Sequence, residues 1–114
     1  QRQMCIRDRS SLGTIFSQKI IIHDYESTYN FLKKNNLNVY ATSLNGEKNI
    51  DKINYNKSCA VVVGSENLGI SKFWDTKSDE LIKIPMLGSI DSLNVSVSAA
   101  IVLYEINRQN DFNR

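Results

Sequence analysis

The sequence predicts an α/β fold, a mostly parallel sheet with flanking helices, on three observations. Cys59-Ala60-Val61-Val62-Val63 is a continuous apolar run of strand length, the pattern of a strand covered on both faces in a parallel sheet. Short β-rich segments alternate along the chain with segments of helical periodicity, as parallel strands joined by crossover helices require. With 114 residues the chain has room for one small domain, and a second need not be sought.

Taken in order, Gln1 to Arg9 show no periodicity and join poorly to the residues after them, so residues 1–9 read as a non-native or disordered leader. Lys19-Ile20-Ile21-Ile22 is a β-branched run that predicts a short buried strand ending at His23-Asp24. Asp24 or Ser27 can cap a helix running to about Asn36, with Tyr25, Tyr29 and Leu32 on one apolar face. Leu37 to Thr42 alternates and predicts a strand, followed by a polar loop, Ser43 to Glu47, that contains the turn dipeptide Asn45-Gly46. After the Val-rich strand, a short helix is expected around Ser71–Thr76, then a strand over Leu81–Ile84 closed by Pro85, which has no N–H to give a ladder. From Asn94 to Asn107, Val95, Ala99, Val102 and Ile106 recur on one face of a final helix. A second side, Val97-Ile101-Tyr104, is also apolar, and one of the two sides calls for a partner surface.

Composition narrows the chemistry. A hydrophobic share of 41% and a charged share of 23% are those of an ordinary globular protein. The net charge of +2 permits contact with a nucleic acid without pointing to it; Lys33-Lys34 reads as a solvated helix face. His23 is the only histidine, so a histidine triad or metal site would have no spare ligand. Cys5 and Cys59 have no metal-ligand spacing and fit a reduced, cytoplasmic compartment, with Cys59 a small buried side chain. No apolar run approaches the ~20 residues of a membrane span, and no Gly-x-Gly-x-x-Gly or Walker-type loop marks a nucleotide site.

Ligands of a parallel α/β sheet bind beyond the carboxyl ends of the strands, where loops converge and helix N-termini offer free N–H groups. Two loops stand there. In Gly64-Ser65-Glu66-Asn67-Leu68-Gly69-Ile70, Gly64 and Gly69 allow close backbone approach or positive φ, and Glu66 puts an acidic acceptor at the strand end. Without context this is an ordinary turn. In Pro85-Met86-Leu87-Gly88-Ser89-Ile90-Asp91-Ser92-Leu93-Asn94, hydroxyls and an amide stand where the last helix begins, and Asp91, Ser92 or Asn94 could serve simply as its N-cap.

Together these two loops closely resemble the second and third signature motifs of the SpoU/TrmH family of RNA ribose 2′-O-methyltransferases. Upstream, Ser10-Ser11-Leu12-Gly13-Thr14-Ile15-Phe16 looks like the family's small-residue helix, and Tyr40-Ala41-Thr42-Ser43-Leu44-Asn45-Gly46 like its strand and loop. The resemblance covers about residues 10–110 and makes residues 10–114 the C-terminal portion of such a domain. It implies a SPOUT-type fold with a C-terminal trefoil knot, N-terminally truncated here, that binds S-adenosyl-L-methionine, acts on tRNA or rRNA and pairs as a homodimer, with no metal and no membrane.

By the same resemblance Gly64, Ile84 and Leu93 fall at cofactor-contact positions, with Thr42, Ser43 and Leu44 lining the pocket and Glu66, Gly69 and Met86 beside them. Ile84, Met86 and Leu93 have the apolar surface to sandwich an adenine. Glu66, Ser92 and Asn94 match positions that shape the active site, Asn94 foremost. The implied reaction moves a methyl group from a sulfonium to a ribose 2′-hydroxyl, whose deprotonation must be assisted. In the family an arginine of an upstream Asn-x-Gly…Arg motif assists it. No such segment stands ahead of the small-residue helix in these 114 residues, and Arg7 and Arg9 stand too close to that helix to replace it. A fragment inactive by itself is the implied state; the alternative is a non-catalytic RNA-binding or dimerisation module that keeps the knotted fold.

Overall fold

The computed structural model describes residues 23–55, 58–64, 69–86 and 94–112. The expected leader, the Ser10–Phe16 helix and the Lys19–Ile22 strand lie outside the described residues, and so do residues 65–68 and 87–93 of the two motif loops.

The elements run α1 (Tyr25–Lys34), β1 (Asn38–Thr42), β2 (Lys48–Asn49), a 3-10 turn (Ile50–Lys52), β3 (Cys59–Val62), α2 (Lys72–Lys77), β4 (Glu80–Lys83) and α3 (Val95–Gln109). The described strands pair in parallel throughout, in the order β2-β4-β1-β3. β1 lies inside this sheet, in register with β3 (Val39 beside Ala60) and with β4 (Ala41 beside Leu81). Its Val39, Tyr40 and Ala41 are all but inaccessible, at 0%, 3% and 0% exposure. The full two-sided cover expected of Cys59–Val63 therefore belongs to β1. Cys59–Val62 is half-buried because β3 stands at the end of the described sheet.

One face of the sheet carries α1 and α2. Asp24 caps α1 by accepting from the Ser27 N–H at 2.7 Å, and Ser71 caps α2 by accepting from Trp74 N–H. Tyr25, Tyr29, Phe73 and Trp74 seal these helices together ring against ring, with Tyr25 stacked on Phe73 at 5.6 Å. Lys33 is no plain solvated lysine: it donates to Asp79 Oδ2, which also accepts the Val39 N–H at 2.7 Å. Burial pushes the Asp79 carboxyl up, but the hydrogen bonds from Lys33 and Val39 outweigh it and hold the group below its ordinary range. The last turn of α1 is thereby tied to the first residues of β1 and β4.

The other face carries the main core, where Tyr40, Ile50, Ile53, Tyr55, Ile82, Val102 and Ile106 pack together. Tyr55 meets Tyr40 edge to face at 5.0 Å and donates its hydroxyl to the Ile50 carbonyl at 2.7 Å. Burial first, and the charge of Glu105 second, raise that phenol's pKa. On α3 the expected Val102 and Ile106 are buried, and Ile101, from the second apolar side, packs against the core as well. Val97, Leu103 and Tyr104 form the exposed side, extended by Phe112, whose ring meets Tyr104 at 5.5 Å. No helix among the described residues is long and apolar enough to cross a membrane.

Glu105 is buried on α3, where periodicity offers no place for a charge. Arg108 Nε and Nη2 and Gln109 Nε2 each donate to it at 2.8 Å. Arg108 chiefly, then Gln109, lower its carboxyl to about 2 against the opposing effect of burial. A folded-state pKa below the unfolded one stabilises at pH values above the ordinary carboxylate range, and the contribution fades as pH falls through the folded value. Glu105→Gln should cost on the order of 1 kcal/mol at neutral pH, modest because Arg108 is half exposed. Urea midpoints of the two proteins should converge as pH falls from about 4.5 towards about 2; a gap that stays constant with pH would mean that the ion pair is not its source.

Candidate functional site

Because the strands are parallel, Thr42, Val62 and Lys83 all finish at the same end of the sheet, and the chain segments that follow them meet there. Thr42 Oγ1 reaches the Val62 carbonyl at 3.4 Å, linking the ends of β1 and β3. Ser43 N–H donates to the Ile82 carbonyl at 2.9 Å, linking β1 to β4. The chain then closes a turn: Gly46 N–H donates to the Ser43 carbonyl at 3.1 Å, and Asn45 N–H to Ser43 Oγ at 3.0 Å. Leu44 stands at the tip, 75% exposed, an apolar side chain with no cover from the described chain.

After β3, Gly64 is packed directly on the Gly69–Ile70 peptide, so closely that a Cβ there would overlap Gly69 C and O and Ile70 N. Gly69 has room for a side chain but takes φ +70°, the left-handed region where glycine is favoured. The two glycines of this loop thus serve different needs, close approach at one and backbone conformation at the other. Beyond β4, Ile84 and Met86 are half-buried on either side of Pro85. Asn94 N-caps α3, its Oδ1 accepting from Ser96 N–H at 2.7 Å and Val97 N–H at 3.4 Å. At the far end of this helix Gln109 Oε1 accepts the N–H of Tyr55, a few residues ahead of β3. The helix therefore runs back against the strand direction, and its first turn points to the carboxyl end of the sheet.

The described candidates Thr42, Ser43, Leu44, Gly64, Gly69, Ile84 and Met86 lie on the segments that follow β1, β3 and β4 at one end of the sheet, and Asn94 heads the helix whose first turn points to that end. Glu66, Ser92 and Leu93 lie outside the described residues. Of the three N-cap candidates, Asn94 fills the position. Sequence reasoning passed over Gly46, whose buried backbone lies against β4; the Asn-Gly dipeptide marked a turn but not that contact. A separate hollow of about 290 Å³ lies beside the first residues of β1 and β4, lined by Asn38, Tyr40, Lys48, Lys52, Ile53, Asn54, Asp79 and Glu80. Lys48 pairs there with Glu80 at 3.2 Å and Asp79 with Lys33, so its charges largely satisfy each other.

An apolar tip, half-buried aliphatic and thioether side chains, and backbone held close by glycine suit a flat heterocycle with a polar rim better than a metal or a polyphosphate. Comparison with known proteins gives this geometry its context. The SpoU rRNA Methylase family model matches residues 6–104. A tRNA (guanosine(18)-2′-O)-methyltransferase of Thermus thermophilus is 42% identical over 87 residues, which are 75% of this chain and 45% of that protein. An uncharacterised tRNA/rRNA methyltransferase of Borreliella burgdorferi is 40% identical over 101 residues, 88% of this chain and 44% of its own length. The chain thus spans less than half the length of these relatives. Among solved structures, an RNA 2′-O ribose methyltransferase superposes with a TM-score of 0.84 at 36% identity, covering 90% of this chain and 40% of that one. The SpoU methyltransferase AviRb from Streptomyces viridochromogenes, in complex with AdoMet, superposes at 0.83 with 27% identity, covering 93% and 42%.

The two glycines of the 64–70 loop should respond differently to alanine. Gly69→Ala meets no atom and should cost ~1–2 kcal/mol for the left-handed backbone. Gly64→Ala collides with backbone that cannot rotate aside and should cost more, about 2 kcal/mol or above. Chemical denaturation of both variants checks the order; equal losses would mean that the 64–69 contact does not constrain the loop.

Proposed function

The chain belongs to the SpoU rRNA methylase family, and from that premise we propose that it forms the S-adenosyl-L-methionine-holding part of an enzyme that methylates a ribose 2′-hydroxyl in tRNA or rRNA. The observation that carries the proposal is that β1, β3 and β4 end together, so that residues 42–46, Gly64 with Gly69–Ile70, and residues 84–86 all lie at the carboxyl end of one parallel sheet, where α/β folds bind ligands. The AdoMet complex of AviRb and the names of the relatives support it.

In this reading Thr42, Ser43, Leu44, Gly64, Glu66, Gly69, Ile84, Met86 and Leu93 hold the cofactor. When bound, it supplies a methyl carbon on a positively charged sulfur. Leu44, Ile84 and Met86 give apolar contact that keeps water from that carbon, and the glycines let main-chain groups approach. Glu66, Ser92 and Asn94 shape the side from which the ribose arrives; Asn94, as the cap of α3, orients the helix N-terminus towards it. Loss of the 2′-hydroxyl proton falls to the arginine of an upstream Asn-x-Gly…Arg motif. The same reading carries a C-terminal trefoil knot, a homodimer and a cytoplasmic location.

Cofactor binding and turnover should come apart. Calorimetry should detect weak S-adenosyl-L-methionine binding by this chain, while tritiated methyl incorporation into bulk RNA stays at background, since general-base assistance alone contributes ~10²–10⁴-fold in rate. In a longer version carrying the arginine motif, activity should return and Asn94→Ala should reduce it sharply. Robust transfer by the chain alone would defeat this division of labour. No cofactor binding would favour a non-catalytic RNA-binding or dimerisation module.

The dimer proposal rests on the exposed side of α3, where Val97, Leu103 and Tyr104 present apolar surface, Tyr104 still 63% exposed beside Phe112. Sedimentation at micromolar concentration should report a dimer that Tyr104→Glu weakens at least tenfold, ~1.4 kcal/mol. A well-folded monomer at that concentration would count against pairing through this face.

A further inference from the structure

Gly46 is a buried glycine whose conformation does not demand glycine: among the described glycines only Gly69 has a positive φ. Space demands it instead. A Cβ at residue 46 would stand 2.7 Å from the carbonyl carbon of Ile82, 2.9 Å from its oxygen and 3.1 Å from Lys83 N. These are backbone atoms of β4, so no side-chain rotation relieves the contact.

The same Ile82–Lys83 peptide also accepts the Ser43 N–H through its oxygen at 2.9 Å. Ser43 and Gly46 are the first and last residues of one turn, closed by Gly46 N–H on the Ser43 carbonyl and stiffened by Asn45 N–H on Ser43 Oγ. Both ends of the turn therefore rest on a single peptide of β4. One residue beyond that peptide the chain enters Ile84-Pro85-Met86. We infer that Gly46 is a positioning residue for the cofactor site: its missing side chain seats the Ser43–Gly46 turn on β4, fixing Ser43 and the exposed Leu44 relative to Ile84 and Met86. The inference rests on the proposed cofactor reading. Gly46 itself touches no cofactor; it acts through the turn.

Gly46→Ala lifts the turn from β4 and should weaken S-adenosyl-L-methionine binding at least tenfold in calorimetry, ~1.4 kcal/mol. Ile106→Val, a one-methyl core change on α3 that leaves the turn's own contacts in place, serves as a control for lost stability and should leave binding within about twofold, a difference small against that tenfold step. Because Gly46→Ala could prevent folding, Asn45→Pro provides a second test. It withdraws the N–H that Ser43 Oγ accepts, and proline is disfavoured at that turn position, yet it adds no bulk against β4. It too should weaken binding more than the control does. If the unaltered chain binds the cofactor and either folded turn variant binds as well as Ile106→Val, the inference is overturned while the cofactor reading stands. If the unaltered chain does not bind, the cofactor reading fails and takes this inference with it.

Discussion

The backbone of Asn38–Thr42 is held on both sides by parallel neighbours, and nearly everything else in the molecule is placed by that double pairing. β3 and β4 are far apart in sequence but adjoin β1 in register. Their carboxyl ends are level because β1 makes them so. Complete burial of Val39, Tyr40 and Ala41 locks the register, since a shift of one residue would exchange the side chains presented to the two helical layers. The loops beyond the strands need no contact of their own to find one another.

The two ends of this sheet are built by different means. At the amino end, polar groups do the fastening: Asp79 gathers the Val39 N–H and Lys33, while Glu80 takes Lys48. At the carboxyl end, glycines bring backbone against backbone, Gly46 on β4 and Gly64 on the Gly69–Ile70 peptide. Charged clamps tolerate small displacements, because long side chains follow their partners. Glycine contacts do not, and they leave the surrounding surface free for a ligand. Tolerance is thus concentrated away from the candidate site and rigidity within it.

Much of this was legible from residue pattern. The strands around Asn38–Thr42, Cys59–Val62 and Glu80–Lys83 and the three helices lie within a residue or two of their expected bounds, because β-branched runs, caps and a terminating proline are local signals. β2 and the 3-10 turn were not foreseen, since two residues cannot display a period. Glu105 was hidden for the opposite reason: a charge on a buried helix position is intelligible only with Arg108 and Gln109 folded onto it. The Cys59–Val62 run suggested full cover, but cover depends on rank within the sheet, which no single segment encodes. The site was readable as two motifs. That Gly64 meets Gly69, and Gly46 meets β4, are long-range facts that the glycines alone do not announce.

β2, the outermost strand of the described sheet on its side, ends after two residues and turns at once into the 3-10 segment. It begins with Lys48, more than half exposed despite its ion pair. A strand so short and so charged offers an incoming extended chain almost no ladder to copy, and one proton-rich ammonium to desolvate in the attempt. Such a border of the described sheet resists continuation by a neighbouring molecule's strand, so crowding should leave this flank a poor seed for aggregation.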